Sequence, residues 1–139
     1  MSVQVSWYVE NAVLYAYGTG INELDDLRVM NDEVLSYIES SSGTGLIHFL
    51  IDLRDLKKMP SLSTQGKIYT YVKHPRAGWQ VFIGLDDPIQ RFTIFMLSEI
   101  MKIRFRRFST IPEGIAFMQS IDGTLPDLTQ YREKLVKQM

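Results

Sequence analysis

The chain contains no cysteine, which excludes disulfides, thiolate metal sites and cysteine nucleophiles and gives no reason to place it in an oxidising compartment. An excess of charge is also missing. Fifteen basic residues stand against sixteen acidic ones, for a net charge of -1, so the surface as a whole is not built to hold nucleic acid and no DNA partner is expected. Long apolar runs are absent too: no window approaches the ~18 consecutive apolar residues of a membrane-spanning helix. The opening MSVQVSWYVEN lacks the basic start and continuous apolar stretch of a signal or transit peptide, which makes a cytoplasmic location the expectation. No internal repeat, low-complexity tract or long Pro/Gly/Ser linker divides the sequence. What remains is 139 residues, 45% apolar and 22% charged, read as one domain over 1–139 that buries enough surface to fold without metal or disulfide.

The apolar pattern lays out the elements. VQVSWYVE alternates Val3, Val5, Trp7 and Val9 with polar neighbours, the period of a half-buried strand. Glu10 and Asn11 suit a tight turn into a second strand, AVLYAYG, ending at Gly18. Asn22 is placed to cap a helix with Asp25 at its third position, and Leu24, Leu27, Met30, Val34 and Ile38 recur at helical spacing. After the punctuating SSSGTG, LIHFLIDL (residues 46 to 53) is almost continuously apolar and predicts a central strand covered on both faces. Pro60 and Ser61 open a predicted helix through Val72, and His74-Pro75 returns the chain to extended backbone before the strand WQVFIGL. Asp87 and Pro88 then start a helix on which Ile89, Phe92, Met96 and Ile100 share a face, followed by a short strand in IRFRRF. Thr110 and Glu113 form a capping box for a helix carrying Ile115, Met118 and Ile121, and a peripheral helix is predicted over 126–138. The order β-β-α-β-α-β-α-β-α predicts an α/β domain: a mostly parallel five-stranded sheet opened by a β-hairpin.

DLRDL (Asp52 to Leu56), the serines after Pro60, FIGLDDP and FRRFSTIPEGIAFM, in this element order, resemble the STAS-like (SpoIIAA-like) fold of anti-sigma-factor antagonists and sulfate-transporter tails, over residues 3 to about 122. In those antagonists the third strand runs into an Asp-Ser-Ser-Gly loop whose serine is phosphorylated to release a partner. The equivalent stretch here is KMPSLSTQG: Ser61 falls at the acceptor position, with Pro60 in place of the Asp and Leu62-Ser63 in place of Ser-Gly. The resemblance implies a bacterial signalling or scaffold module that binds another protein. A phosphate on Ser61 would be stabilised at the start of the predicted helix and would repel an acidic partner. The simpler role for Ser61 or Ser63 is an N-cap.

Asp52 ends the central strand at its carboxyl edge, where open α/β sheets place ligands; its plainer role is a turn residue that binds nearby backbone. Lys57 and Lys58 add positive charge beside the serine loop. His48 sits in an apolar strand and His74 beside a proline, in no metal-binding spacing, and no P-loop, GxGxxG or GxSxG string exists, so no metal, cofactor or catalytic site is expected. In KIRFRRF, Lys102, Arg104 and Arg106 alternate with Ile103 and Phe105, and with Arg107 they form a candidate anion-binding stripe; charge that blocks edge-to-edge strand pairing is the plainer role. Abundant Tyr and Trp leave room for a partner-binding or self-associating face, a homodimer among the outcomes. Phe92, Phe95, Met96 and Met101 offer the lining of an apolar pocket. Two functional readings stand: a non-enzymatic protein-interaction module switched at the Ser61 loop, or a binding module for an apolar or anionic small molecule or lipid.

Overall fold

The computed structural model describes residues 3–126. Strands β1 (Val3–Val9) and β2 (Val13–Ile21) form an antiparallel hairpin, and Asn11 takes the left-handed backbone its turn needs (φ 66°). Helix α1 (Leu24–Ser40) leads to β3 (Ile47–Lys58), α2 (Leu62–Gln65), a 3-10 turn (Thr70–Lys73), β4 (Ala77–Ile83), α3 (Pro88–Met101), β5 (Phe105–Phe108) and α4 (Ile111–Ile121). The five strands lie in the order β1-β2-β3-β4-β5, with every pair after the hairpin parallel. This is the α/β sheet that the alternation of periods predicts.

Alternation along the strands sorts side chains between two layers. Leu50 of β3 and Val81 and Ile83 of β4 pack with Ile111, Ile115 and Met118 of α4. Their neighbours Phe49 and Phe82 turn to the other face, beneath α1 and α3 respectively. Gly114 lets α4 lie directly on the strands: a Cβ there would come within 2.8 Å of Ile83 Cδ1 and 3.0 Å of Val81 Cγ1. At the far end of the same face, His48 Nε2 donates to Asp122 Oδ2 (2.8 Å) while His48 Nδ1 accepts from Trp79 N (3.0 Å), tying the end of α4 to β3. The strand histidine is thus a neutral, doubly bonded core residue, 1% exposed.

Four expectations are corrected. Helix α1 is capped by Glu23, whose backbone N–H donates to Asp26 at 2.8 Å, and not by Asn22, because β2 runs on to Ile21 and draws Asn22 into the interior. The helix predicted from Ser61 through Val72 is only the four-residue α2 and a separate 3-10 turn: after Gly66 the chain folds Ile68 and Tyr71 onto the sheet, where one continuous helix would have carried them past it. β3 extends beyond Leu53 to Lys58, since Asp55, Leu56 and Lys58 pair with Thr19, Gly20 and Ile21. Finally, Ile89, Phe92 and Ile100 do share a face of α3, but it is the solvent face (77%, 61% and 63% exposed). The helix docks instead through Ile94, Leu97 and Ser98 on its opposite side. The helix predicted over 126–138 lies outside the described residues.

Candidate functional site

The layer under α1 and α3 is split. Leu14, Val34 and Phe49 belong to one cluster under α1, and Phe82, Ile94 and Leu97 to another under α3. Between them lies a cavity of about 90 Å³. Small side chains border the gap, Ala16 on β2 and Ser98 on α3. With roughly 30 Å³ per liquid water, the space suits a few waters or one ring-sized molecule. Among the described residues the lining is apolar apart from tyrosine and serine hydroxyls and three amides, with no charged side chain.

Those amides differ in how they are satisfied. Gln65 Nε2 donates to Pro60 O, and its Oε1 accepts from Tyr69 OH. Gln80 of β4, 1% exposed, forms part of the wall: its Oε1 accepts from Tyr71 OH (2.8 Å), and among the described residues its Nε2 has no partner. Asn22, 4% exposed, leaves its Oδ1 unpartnered, although its backbone N–H donates to Lys58 O at 2.9 Å. Burial pushes the Tyr69 and Tyr71 hydroxyls well above their usual range, so both remain protonated donors that fix the amides they meet. A buried amide N–H without a partner costs on the order of 1–3 kcal/mol, so Gln80 marks a place where fold and stability are not the same design.

The sequence-predicted residues are distributed around this site and not gathered in it. Ser61 and Ser63 are exposed. Ser61 occupies the N-cap position of α2, but its hydroxyl meets Thr64 Oγ1 (2.5 Å) and Ser63 Oγ (3.2 Å) and caps no backbone N–H. Four residues carry little helix dipole, so the phosphate-stabilising helix start expected at Ser61 is not present. The loop nevertheless touches the cavity, because Met59 and Gln65 form part of its wall. Asp52 faces the opposite layer, fully buried, and is saturated by Tyr15 OH (2.8 Å) and by Arg54 Nε (2.9 Å), Nη2 (2.7 Å) and backbone N (3.2 Å). Burial first, and the bond to Asp52 second, push the Tyr15 hydroxyl far up. Lys57 and Lys58 are exposed on the extension of β3, and the Lys57 carbonyl accepts from Gln90 Nε2 (3.1 Å).

Nor do the arginines form one stripe. Arg104 is exposed, Arg106 places its guanidinium over the Trp79 and Phe117 rings (5.7 and 5.8 Å to the centroids), and Arg107 turns to the other face, donating to Gly84 O and Asp86 Oδ1. Lys102 lies outside the strand, in the left-handed C-cap of α3. Of the four residues offered for an apolar pocket, Met101 lines the cavity; Phe92 is exposed, and Phe95 packs on Phe105. Sequence reasoning passed over Gln80 and Asn22. The signal for Gln80 was a lone amide in the otherwise apolar run WQVFIGL; Asn22 was hidden by its aptness as a cap. Among the described residues no group of three His, Asp or Glu gathers as metal ligands, and no helix is long and apolar enough to cross a membrane.

No family model matches the chain, and no curated protein is similar enough to match. Among solved structures, the chain is similar to an uncharacterized protein of the DUF3478 family with a SpoIIAA-like fold from Shewanella loihica PV-4: 15% identity, TM-score 0.58, covering 84% of this chain and 91% of that one. The fold is therefore SpoIIAA-like.

Proposed function

We propose that this chain is a non-enzymatic binding module of bacterial regulatory type whose interior takes up a small apolar molecule. The observation that carries this reading is the cavity itself, held open between two separate hydrophobic clusters and furnished with amide groups that the fold leaves unmatched. Concave, mostly apolar sites with a few placed polar groups are the usual form of small-molecule sites. Ligand-observed NMR with ethylbenzene tests it: the probe should show saturation transfer with the natural chain and lose it in Ala16→Leu, which fills the space. Equal signal in both, or none in either, would overturn the reading.

A second reading is favoured by one feature. The exposed Ser61 lies on the segment whose Met59 and Gln65 wall the cavity, so occupancy and the surface offered to a protein partner are mechanically adjacent. On this reading the module is regulatory, and phosphorylation at Ser61 acts by charge repulsion of a partner. Pull-downs with Ser61→Asp and Ser61→Ala chains should retain different partners; identical profiles remove the switch.

A further inference from the structure

Resting on the small-molecule reading above, we propose that the occupant is a neutral, ring-sized molecule bearing a carbonyl or ether oxygen, which Gln80 Nε2 binds as a hydrogen-bond acceptor. Three observations lead there. The Gln80 amide is oriented, because Tyr71 OH holds its Oε1 at 2.8 Å and leaves the NH₂ group, in the wall of the cavity, without a partner among the described residues. Tyr71 is itself fixed: its backbone N–H donates to Asn31 Oδ1 (3.1 Å), and its ring packs on Phe49 with centroids 4.9 Å apart. The free group is therefore a donor, and what it lacks is an acceptor.

Charge is settled by the lining. Among the described residues no lysine, arginine or histidine borders the cavity, so a carboxylate or phosphate brought to Gln80 would be desolvated without a counter-charge from them, at a cost one amide N–H does not offset. An alkane has the opposite fault: it fills the space and leaves the amide as unmatched as before. Size follows from the roughly 90 Å³ available, which excludes a long acyl chain from lying wholly inside. Asn22, whose Oδ1 is the second unmatched group, sits beside Gly18, four residues along β2 from the Leu14–Phe49 pairing. A site at Gln80 thus takes the oxygen end of the molecule, and the body lies against the apolar lining.

Three probes of similar size separate the possibilities: acetophenone, ethylbenzene and benzoate, titrated by ligand-observed NMR on the full chain. Acetophenone should bind about three- to tenfold more tightly than ethylbenzene, the range one net hydrogen bond supplies, and benzoate more weakly than either. In Gln80→Met the first two should bind equally, while ethylbenzene affinity is kept. Because that change also removes the acceptor of Tyr71 OH, Tyr71→Phe is the second variant; it frees the amide to turn and should shrink the preference without abolishing it. Ethylbenzene binding as tightly as acetophenone, or benzoate binding best, overturns the assignment of the ligand while leaving the cavity reading intact. Failure of all three probes overturns both, as does a high-resolution structure in which only ordered waters bond Gln80 and 10 mM acetophenone does not displace them.

Discussion

Beneath α4 a single helix lies directly on β3 and β4, its backbone lowered onto the strands at Gly114, whereas across the same strands α1 and α3 leave a cavity between them. Both layers draw on alternate residues of the same strands, so local β-propensity cannot explain the contrast. Small residues are used in opposite senses. Gly114 brings two surfaces together; Ala16 and Ser98 lie at the gap between two others. Individual polar groups can be set side by side: Asp52 and His48, toward α4, are multiply bonded, while Gln80 and Asn22, at the cavity, each keep one atom unmatched among the described residues.

The contrast breaks or sharpens under a graded set of substitutions. The largest effect belongs to Met118→Ala, which empties a fully buried site on the close-packed side and should lower the unfolding free energy by about 2–5 kcal/mol in urea denaturation; a loss under about 1 kcal/mol would mean that the α4 layer relaxes as freely as the other. Next, adding a methyl on each side should act with opposite sign: Gly114→Ala destabilises by about 1–3 kcal/mol, and Ala16→Val stabilises by about 0.5–1 kcal/mol, both visible as shifts of the thermal midpoint.

Acid tests the tie at the end of α4. Burial alone would raise the Asp122 pKa, but hydrogen bonds from Thr124 and His48 together hold it below 3.8. A carboxyl depressed in the folded state contributes stability that is fully present above the unfolded value near 3.8 and is lost as pH falls through the lower folded value. Asp122→Asn should therefore cost about 1 kcal/mol at neutral pH and flatten the acid limb of the stability curve below pH 4; an unchanged limb would show that the tie is not the group titrating there. The smallest effect is expected at Phe92→Ser, within about 0.5 kcal/mol, because that ring is 61% exposed; a larger loss would mean that the outer face of α3 is covered in solution.

Element order, strand direction and the caps at Asp87 and Thr110 were legible in the sequence because each is set by residues within a few positions of one another. The face of α3 was not. Ile89, Phe92, Met96 and Ile100 have the better apolar spacing, yet Ile94, Leu97 and Ser98 meet the sheet, after a turn in which Gly84 and Leu85 take positive φ. The charged end of β3 escaped as well: RDLKK lacks apolar alternation, and only its pairing with Thr19–Ile21, a long-range event, makes it a strand. The cavity was legible only as two oddities, a lone Gln in an apolar run and an Asn before a helix, since an empty space is a property of three elements at once.

That charged end carries a consequence for how the chain behaves in company. β3 pairs with β4 only as far as Asp52, so from Leu53 to Lys58 its second margin has no neighbouring strand among the described residues, a ledge of the kind that templates a foreign segment when left bare. Gln90 already occupies the Lys57 carbonyl, and the side chains of Lys57 and Lys58 stand in solvent along the ledge. Two lysines in solvent along such a margin are the kind of charge that disfavours the addition of a further strand.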